Sequence, residues 1–366
     1  MARHTIRKGL DLPITGTPRQ EITTGKPVST VAILAADYVG MKPSMEVQLG
    51  DLVQRGSLLF LDRKQPGVRH TSPGAGTVVA INRGERRAFQ SVVIELNERE
   101  QAGSPSADDF ATFESYAGQD LSTLTREQVR ALMVESGAWT SLRQRPYSCV
   151  PSPSEVPHSI FVQAIDSRPL AGSVDVCMDG EQGAFEAGLR ALQLLTDGPV
   201  HLCRAPGGKA SAGMVDGIEL QEFVGPHPAG LAGTHIHFVD PVHRAKQVWY
   251  VNYADVQMIG KLFTDGRLHV ERVVALGGPP AADPRLVRSR IGANLDQLMV
   301  GEVSEGGEHR VVSGCVLSGR KAMGKITGFL GRYDLQVSVV REGREREFLG
   351  WLTPGEESFS IFPTYV

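Results

Sequence analysis

The chain has 366 residues, 41% of them hydrophobic, and its 38 Lys and Arg stand against 41 Asp and Glu for a formal net charge of −3. That is enough chain for two or three domains, and the balanced charge excludes a broad nucleic-acid-binding face, which needs surplus cations to displace counterions. No run nears the roughly 20 apolar residues of a membrane span, and Met1 to Lys8 has no apolar core behind its basic residues, so no secretory signal is read and the cytoplasm is expected.

Residues 1–98 read as β-rich. Val47 to Phe60 alternates apolar and polar positions around two glycine turns, and Ser72 to Gly76 is a turn leading into strands at Thr77–Ile81 and Ser91–Leu96. Two half-units of strand, Gly turn and strand resemble the barrel-sandwich hybrid of biotinyl and lipoyl carrier domains. The hairpin that carries the cofactor lysine in those domains reads here Asp62-Arg63-Lys64-Gln65-Pro66, with the lysine displaced and no methionine beside it. The barrel is expected, and attachment at Lys64 is not.

Residues 99–125 open on a polar break and read as a linker. Thr125 then caps a helical pattern with Val129, Leu132 and Met133 on one face. The Pro-rich stretch Pro146 to Pro157 excludes regular structure. A strand over Ser159–Ile165, a helix from Glu181 to Thr196 and a strand over Pro199–Cys203 form a βαβ unit, so residues 126–255 are expected to be an α/β domain with a parallel sheet. Short strands return at Trp249–Tyr253, Leu268–Leu276 and Val311–Gly319, with a short helix near Leu295–Met299, and residues 256–330 suit a small β-grasp domain. Residues 331–366 read as a hairpin pairing Leu335–Val340 with Glu347–Leu352, after which the chain stops in a way that looks truncated. The fold class is therefore α+β and multi-domain.

Chemistry is sparse. The turn after the 159–165 strand lacks Gly-x-Gly-x-x-Gly, so the backbone cannot approach a pyrophosphate. Gly319 to Lys325 matches the first seven positions of a P-loop, but Ile326 stands where Ser or Thr must bind Mg²⁺, and it reads as a basic loop. Cys149, Cys177, Cys203 and Cys315 are scattered without Cys-x-x-Cys spacing, as small buried hydrophobes are, which weighs against iron–sulfur or structural zinc. His227, His235, His237 and His243 lie within 17 positions. His235 and His237 would share one face of a strand, either as a structural loop or, as the alternative, as ligands of a metal-dependent hydrolase. No metal site and no catalytic residue is assigned.

Several motifs together carry a resemblance. Lys8-Gly9-Leu10-Asp11-Leu12-Pro13-Ile14, Asp37 to Met45, Gly225-Pro226-His227-Pro228-Ala229-Gly230-Leu231, Gly233-Thr234-His235-Ile236-His237-Phe238, Asn252 to Val256 and Phe348 to Leu352 resemble the NqrA family of the sodium-translocating NADH:quinone oxidoreductases. The resemblance implies a peripheral subunit on the cytoplasmic side of a bacterial inner membrane, in a complex that oxidises NADH, reduces ubiquinone and exports Na⁺. It implies partners among the other five subunits, NqrB to NqrF, chiefly the membrane-embedded NqrB, and no nucleic acid. NAD(H), FAD, FMN, riboflavin and iron–sulfur centres would sit on those other subunits, leaving this chain a non-redox scaffold. It also implies a Rossmann-like second domain like that of the flavin subunit of complex I, an SLBB-like β-grasp domain, and a further C-terminal domain missing here. Quinone contact is implied near Tyr38, Val39, Gly40 and Met41 and near Ala131–Ser136; the alternatives are that the former are ordinary barrel and turn residues, or that the chain is a free-standing quinone binder.

Overall fold

The computed structural model describes residues 2–304, 306–344 and 348–349. A four-stranded sheet (Thr30–Leu34, Phe89–Leu96, Gly76–Arg83, Leu52–Val53) faces a three-stranded one (Pro43–Met45, Leu58–Asp62, Arg69–Thr71). Leu59, Phe60, Val78, Val92 and Ile94 are buried in their core. Lys64 lies in the turn between Leu58–Asp62 and Arg69–Thr71.

The second unit is a six-stranded sheet in the order Ala2–Thr5, Ile218–Val224, Val200–Arg204, Ile160–Ala164, Val248–Asn252, Arg143–Arg145. Every pair in it is parallel except the edge strand Arg143–Arg145. Its central strands are apolar on both faces because helices cover both. Gln182–Leu194 and Tyr253–Asp265 pack on one side, and Ala232–Val239 packs on the other against Phe161, Phe223 and Tyr250. The first two helices touch backbone to backbone. A Cβ on Gly260 would lie 1.8 Å from the Ala184 carbonyl oxygen, and one on Gly188 would lie 2.0 Å from that of Val256.

The third unit is a six-stranded sheet ordered Arg320–Lys321, His309–Ser313, Gln336–Arg341, Glu271–Gly277, Arg285–Arg290, Arg19–Thr24.

The helix after Thr125 runs Arg126–Glu135 behind a capping box with Gln128, and Val129, Leu132 and Met133 are buried. Phe185, Leu189, Leu192 and Leu195 are likewise buried by the helix Gln182–Leu194 and its cap.

Several expectations need correction. Residues 1–98 do not all form the barrel, because Ala2–Thr5 edges the parallel sheet and Arg19–Thr24 edges the third. The 99–125 segment, expected as a linker, buries Glu100, Asp109, Phe110 and Phe113, since Arg55 and Arg290 satisfy Glu100 and the nearby Arg99 satisfies Asp109. The boundary expected between 255 and 256 falls inside the helix Tyr253–Asp265, which Asn252 caps. Gly319–Lys325 is not a plain loop: Arg320–Lys321 is a short edge strand and Gly324 opens the helix Gly324–Thr327. Gln336–Arg341 does not form a terminal hairpin, because it lies inside the third sheet between His309–Ser313 and Glu271–Gly277. Of its expected partner, Glu347 and 350–352 lie outside the described residues, as do 353–366.

Buried ion pairs tie the three units together. Glu100 accepts from Arg55 of the barrel and from Arg290 of the third sheet. Asp255 of the α/β helix accepts from Arg272 and Arg332.

Candidate functional site

The histidine block separates in space. Gly225 to Leu231 turns tightly, and the residues after it form the helix Ala232–Val239 rather than a strand. Two residues on a helix are some 200° apart, so His235 is fully buried while His237 is exposed. His235 Nε2 hydrogen-bonds the Ala229 carbonyl at 2.9 Å, and burial pushes its pKa down to about 4. His227 Nδ1 meets Ser167 Oγ at 3.1 Å, and its backbone N–H donates to Asp11. Among the described residues no three His, Cys, Asp or Glu side chains are grouped to hold a metal, so the hydrolase reading has no site here. Cys177, Cys203 and Cys315 are buried and Cys149 is half-buried.

Tyr38, Val39, Gly40 and Met41 do share a site. The strand Thr30–Leu34 ends in a 3₁₀ turn, Ala35–Asp37, and the chain then bends through Gly40 at φ +77°, where a side chain would be strained. All four residues line one cavity of about 310 Å³. Its other walls come from the turn after Leu58–Asp62 and from the Pro-rich segment, through Lys64, Tyr147, Cys149 and Val150. Val39 and Tyr147 are exposed at its rim. The helix carrying Ala131–Ser136 is not among its walls.

At the back of this cavity sits His70, a residue that sequence reading passes over. It is 1% exposed, lies flat on the Phe60 ring at 4.4 Å and meets the Tyr38 ring edge-on at 4.4 Å. Among the described residues neither ring nitrogen has a hydrogen-bond partner. Burial, helped by the charge of Arg332, pushes its pKa down to about 3, so the ring is neutral with one donor and one acceptor unused. Its strand, Arg69–Thr71, is only three residues long and Thr71 is buried beside it, so no period-two alternation marks the ring as inward. Beside it, burial raises the Tyr38 phenol well above its ordinary range. Asp37, its carboxylate held beside Arg320 and the Arg332 N–H, is pushed by burial up to about 6.

Three family models match the chain in order. They are the NqrA N-terminal barrel-sandwich hybrid domain at residues 4–97, the NqrA second alpha/beta domain at 124–268 and the NQRA C-terminal domain at 273–324. Relatives named as the NqrA-type subunit of the Na(+)-translocating NADH-quinone reductase match in Pasteurella multocida (51% identical over 360 residues) and Glaesserella parasuis (52% over 362). One from Klebsiella pneumoniae is 51% identical over 359 residues. Each match covers 98% of this chain and 78% of the relative. Among solved structures, a chain of an NAD⁺-reducing [NiFe]-hydrogenase aligns at 13% identity with a TM-score of 0.42, over 69% of this chain and 59% of that one.

Proposed function

Because the chain belongs to the NqrA family of Na(+)-translocating NADH-quinone reductase subunits, we propose that it is the complex's peripheral, non-redox scaffold and that its Tyr38–Met41 cavity contacts quinone. It is one subunit of an oxidoreductase complex that moves Na⁺ with electron transfer from NADH to quinone, and the other subunits are its partners. No helix among the described residues is long and apolar enough to cross a membrane. Docking on the cytoplasmic side, onto the membrane-embedded NqrB, is the reading that fits a peripheral chain.

The scaffold reading has support in the residues. The turn Asp166 to Gly172 holds one glycine where a dinucleotide turn needs three, and the four cysteines are scattered in sequence. Flavins and iron–sulfur centres therefore belong with the partners. The order of the second sheet, reversing between Ile160–Ala164 and Val248–Asn252, supports a Rossmann-like domain of the complex I flavin-subunit kind.

The observation that carries quinone contact is His70. A buried imidazole with both nitrogens unpartnered is costly, and a quinone carbonyl beside the Tyr38 ring would accept its N–H. Since His70 stays neutral, it can hydrogen-bond a quinone but does not protonate one. His70→Phe keeps the stack on Phe60 and removes the donor. A hydrogen bond worth ~0.5–1.5 kcal/mol predicts that affinity for a short-chain ubiquinone falls roughly two- to tenfold. Fold stability should hold, since an unsatisfied polar group leaves the core. Fluorescence titration of the full chain checks this. Failure of ubiquinone to bind saturably, or equal affinity in His70→Phe, contradicts the quinone reading.

A further inference from the structure

A larger cavity lies elsewhere and shares no lining residue with the quinone cavity. It is a cleft of about 610 Å³ between the parallel sheet and the third unit. From Ile160–Ala164 the sheet grows in one direction through Val200–Arg204 and Ile218–Val224, while Val248–Asn252 is added on the opposite side. The carboxyl ends of Ile160–Ala164 and Val248–Asn252 both open on the cleft, through Asp166 and Tyr253. Such a reversal of strand order leaves a crevice where ligands of open α/β sheets bind.

The chemistry of its wall is that of an anion site. Leu231 caps the helix Ala232–Val239 without a side-chain hydrogen bond. The first-turn N–H groups of Ala232, Gly233 and Thr234, all at the cleft, find no acceptor among the described residues. These N–H groups and the helix dipole favour negative charge. Three arginines line the same cleft. Arg168 is paired with Asp166 at 2.9 Å, and Arg143 lies over the Tyr333 ring at 4.4 Å. Arg145 lies over the Tyr250 ring at 5.4 Å, and its buried Nε has no partner among the described residues. Ser141 adds an unanswered buried polar atom at the same wall. It lines the cleft, is 2% exposed, and its Oγ has no partner among the described residues. Of the cleft's two carboxylates, Asp166 is taken by Arg168 and Asp334 accepts from Ser313 Oγ at 2.6 Å.

We propose that this cleft binds a phosphate-bearing small molecule of mononucleotide size, with its oxyanions on the uncapped first turn of Ala232–Val239 and its charge balanced by the arginines. The volume falls in the range of roughly 300–1,000 Å³ usual for small-molecule sites. The missing glycine triplet argues against a pyrophosphate at the turn after Ile160–Ala164, and the uncapped helix offers a different place for a monoester.

Gly233 supplies the sharpest test. A Cβ there meets nothing within 4 Å, so Gly233→Asp places a carboxylate at the helix N-terminus and supplies the anion from within. Calorimetric titration of the full chain with 5′-AMP at low ionic strength should show one saturable site, displaced by inorganic phosphate but not by acetate at equal ionic strength. Gly233→Asp and Arg145→Gln should each weaken AMP binding at least tenfold, with Gly233→Asp keeping or raising the melting temperature. Absence of saturable AMP and phosphate binding, displacement by acetate equal to that by phosphate, or unchanged affinity in a folded Gly233→Asp chain each overturns the proposal. None of these outcomes depends on the quinone cavity.

Discussion

Replacing Asp255 by alanine is expected to destabilise the chain by about 3–5 kcal/mol, the cost of breaking a buried ion pair from one side. Asp255 is fully buried at the start of the helix Tyr253–Asp265, where Asn252 caps its N–H and donates to its Oδ2 at 2.8 Å. Its other oxygen accepts from Arg272 and, at 2.8 Å, from Arg332. Arg272 is the vulnerable partner, because among the described residues its Nε and Nη1 find no hydrogen bond and only Asp255 pairs with its charge. Alanine leaves two guanidiniums in the interior without the carboxylate that pairs them, at the seam between the α/β unit and the third sheet. Urea unfolding reads the loss. Adding Arg272→Met to Asp255→Ala should recover part of it, because one stranded cation is then removed, whereas independent sites would add their costs.

Glu100→Ala is expected to cost a similar ~3–5 kcal/mol and to loosen a different seam. The Glu100 side chain is fully buried in the short helix Glu98–Gln101. Arg55 of the barrel grips both its oxygens at 2.6 and 2.7 Å, Arg290 of the third sheet donates at 2.8 Å, and the Ala75 N–H adds a fourth bond at 2.8 Å. Burial opposes ionisation of both Glu100 and Asp255, but the guanidiniums outweigh it and each pKa lies below its ordinary value. The sign follows from proton linkage: each carboxylate lends stability above its unfolded pKa, and that stability is lost as pH falls through the lower folded value. Asp37 works oppositely, since with a folded pKa of about 6 its contribution is present in acid and fades as pH rises through that value. Acid unfolding followed by circular dichroism should therefore be less steep in Glu100→Ala, which has lost one of the groups that must be protonated.

The local grammar of the chain is legible where side chains act on near neighbours. Thr125 with Gln128 announces a helix start, and the three-and-four spacing of Phe185, Leu189 and Leu192 announces its buried face. What cannot be read locally is pairing at a distance. Ala2–Thr5 finds its partner some two hundred positions on, at Ile218–Val224, and nothing within either segment names the other. Glu100 looks solvated in sequence because its two arginines are supplied from remote strands. The helix Ala232–Val239 reads as a strand for a specific reason, since Leu231 gives no capping signal and Gly and Pro crowd the approach. Tyr253–Asp265 does carry such a signal, the Asn252 cap set three residues before Asp255, which the neighbouring strand pattern obscures. Of the cavity lined by Tyr38, the stretch from Tyr38 to Met41 comes from resemblance. His70 at its back becomes visible only once its strand pairs it with Phe60 and the turn after Thr30–Leu34 brings Tyr38 against it.

The most direct test of the whole account is assembly. A tagged version of this chain, expressed in its own host and recovered from detergent-solubilised membranes, should bring with it Na⁺-stimulated NADH:quinone reductase activity and flavin-bearing partner subunits, while the chain released from them is colourless. Recovery of the chain alone, without that activity, would contradict its place in the complex, and flavin retained on the isolated chain would contradict its role as a non-redox scaffold.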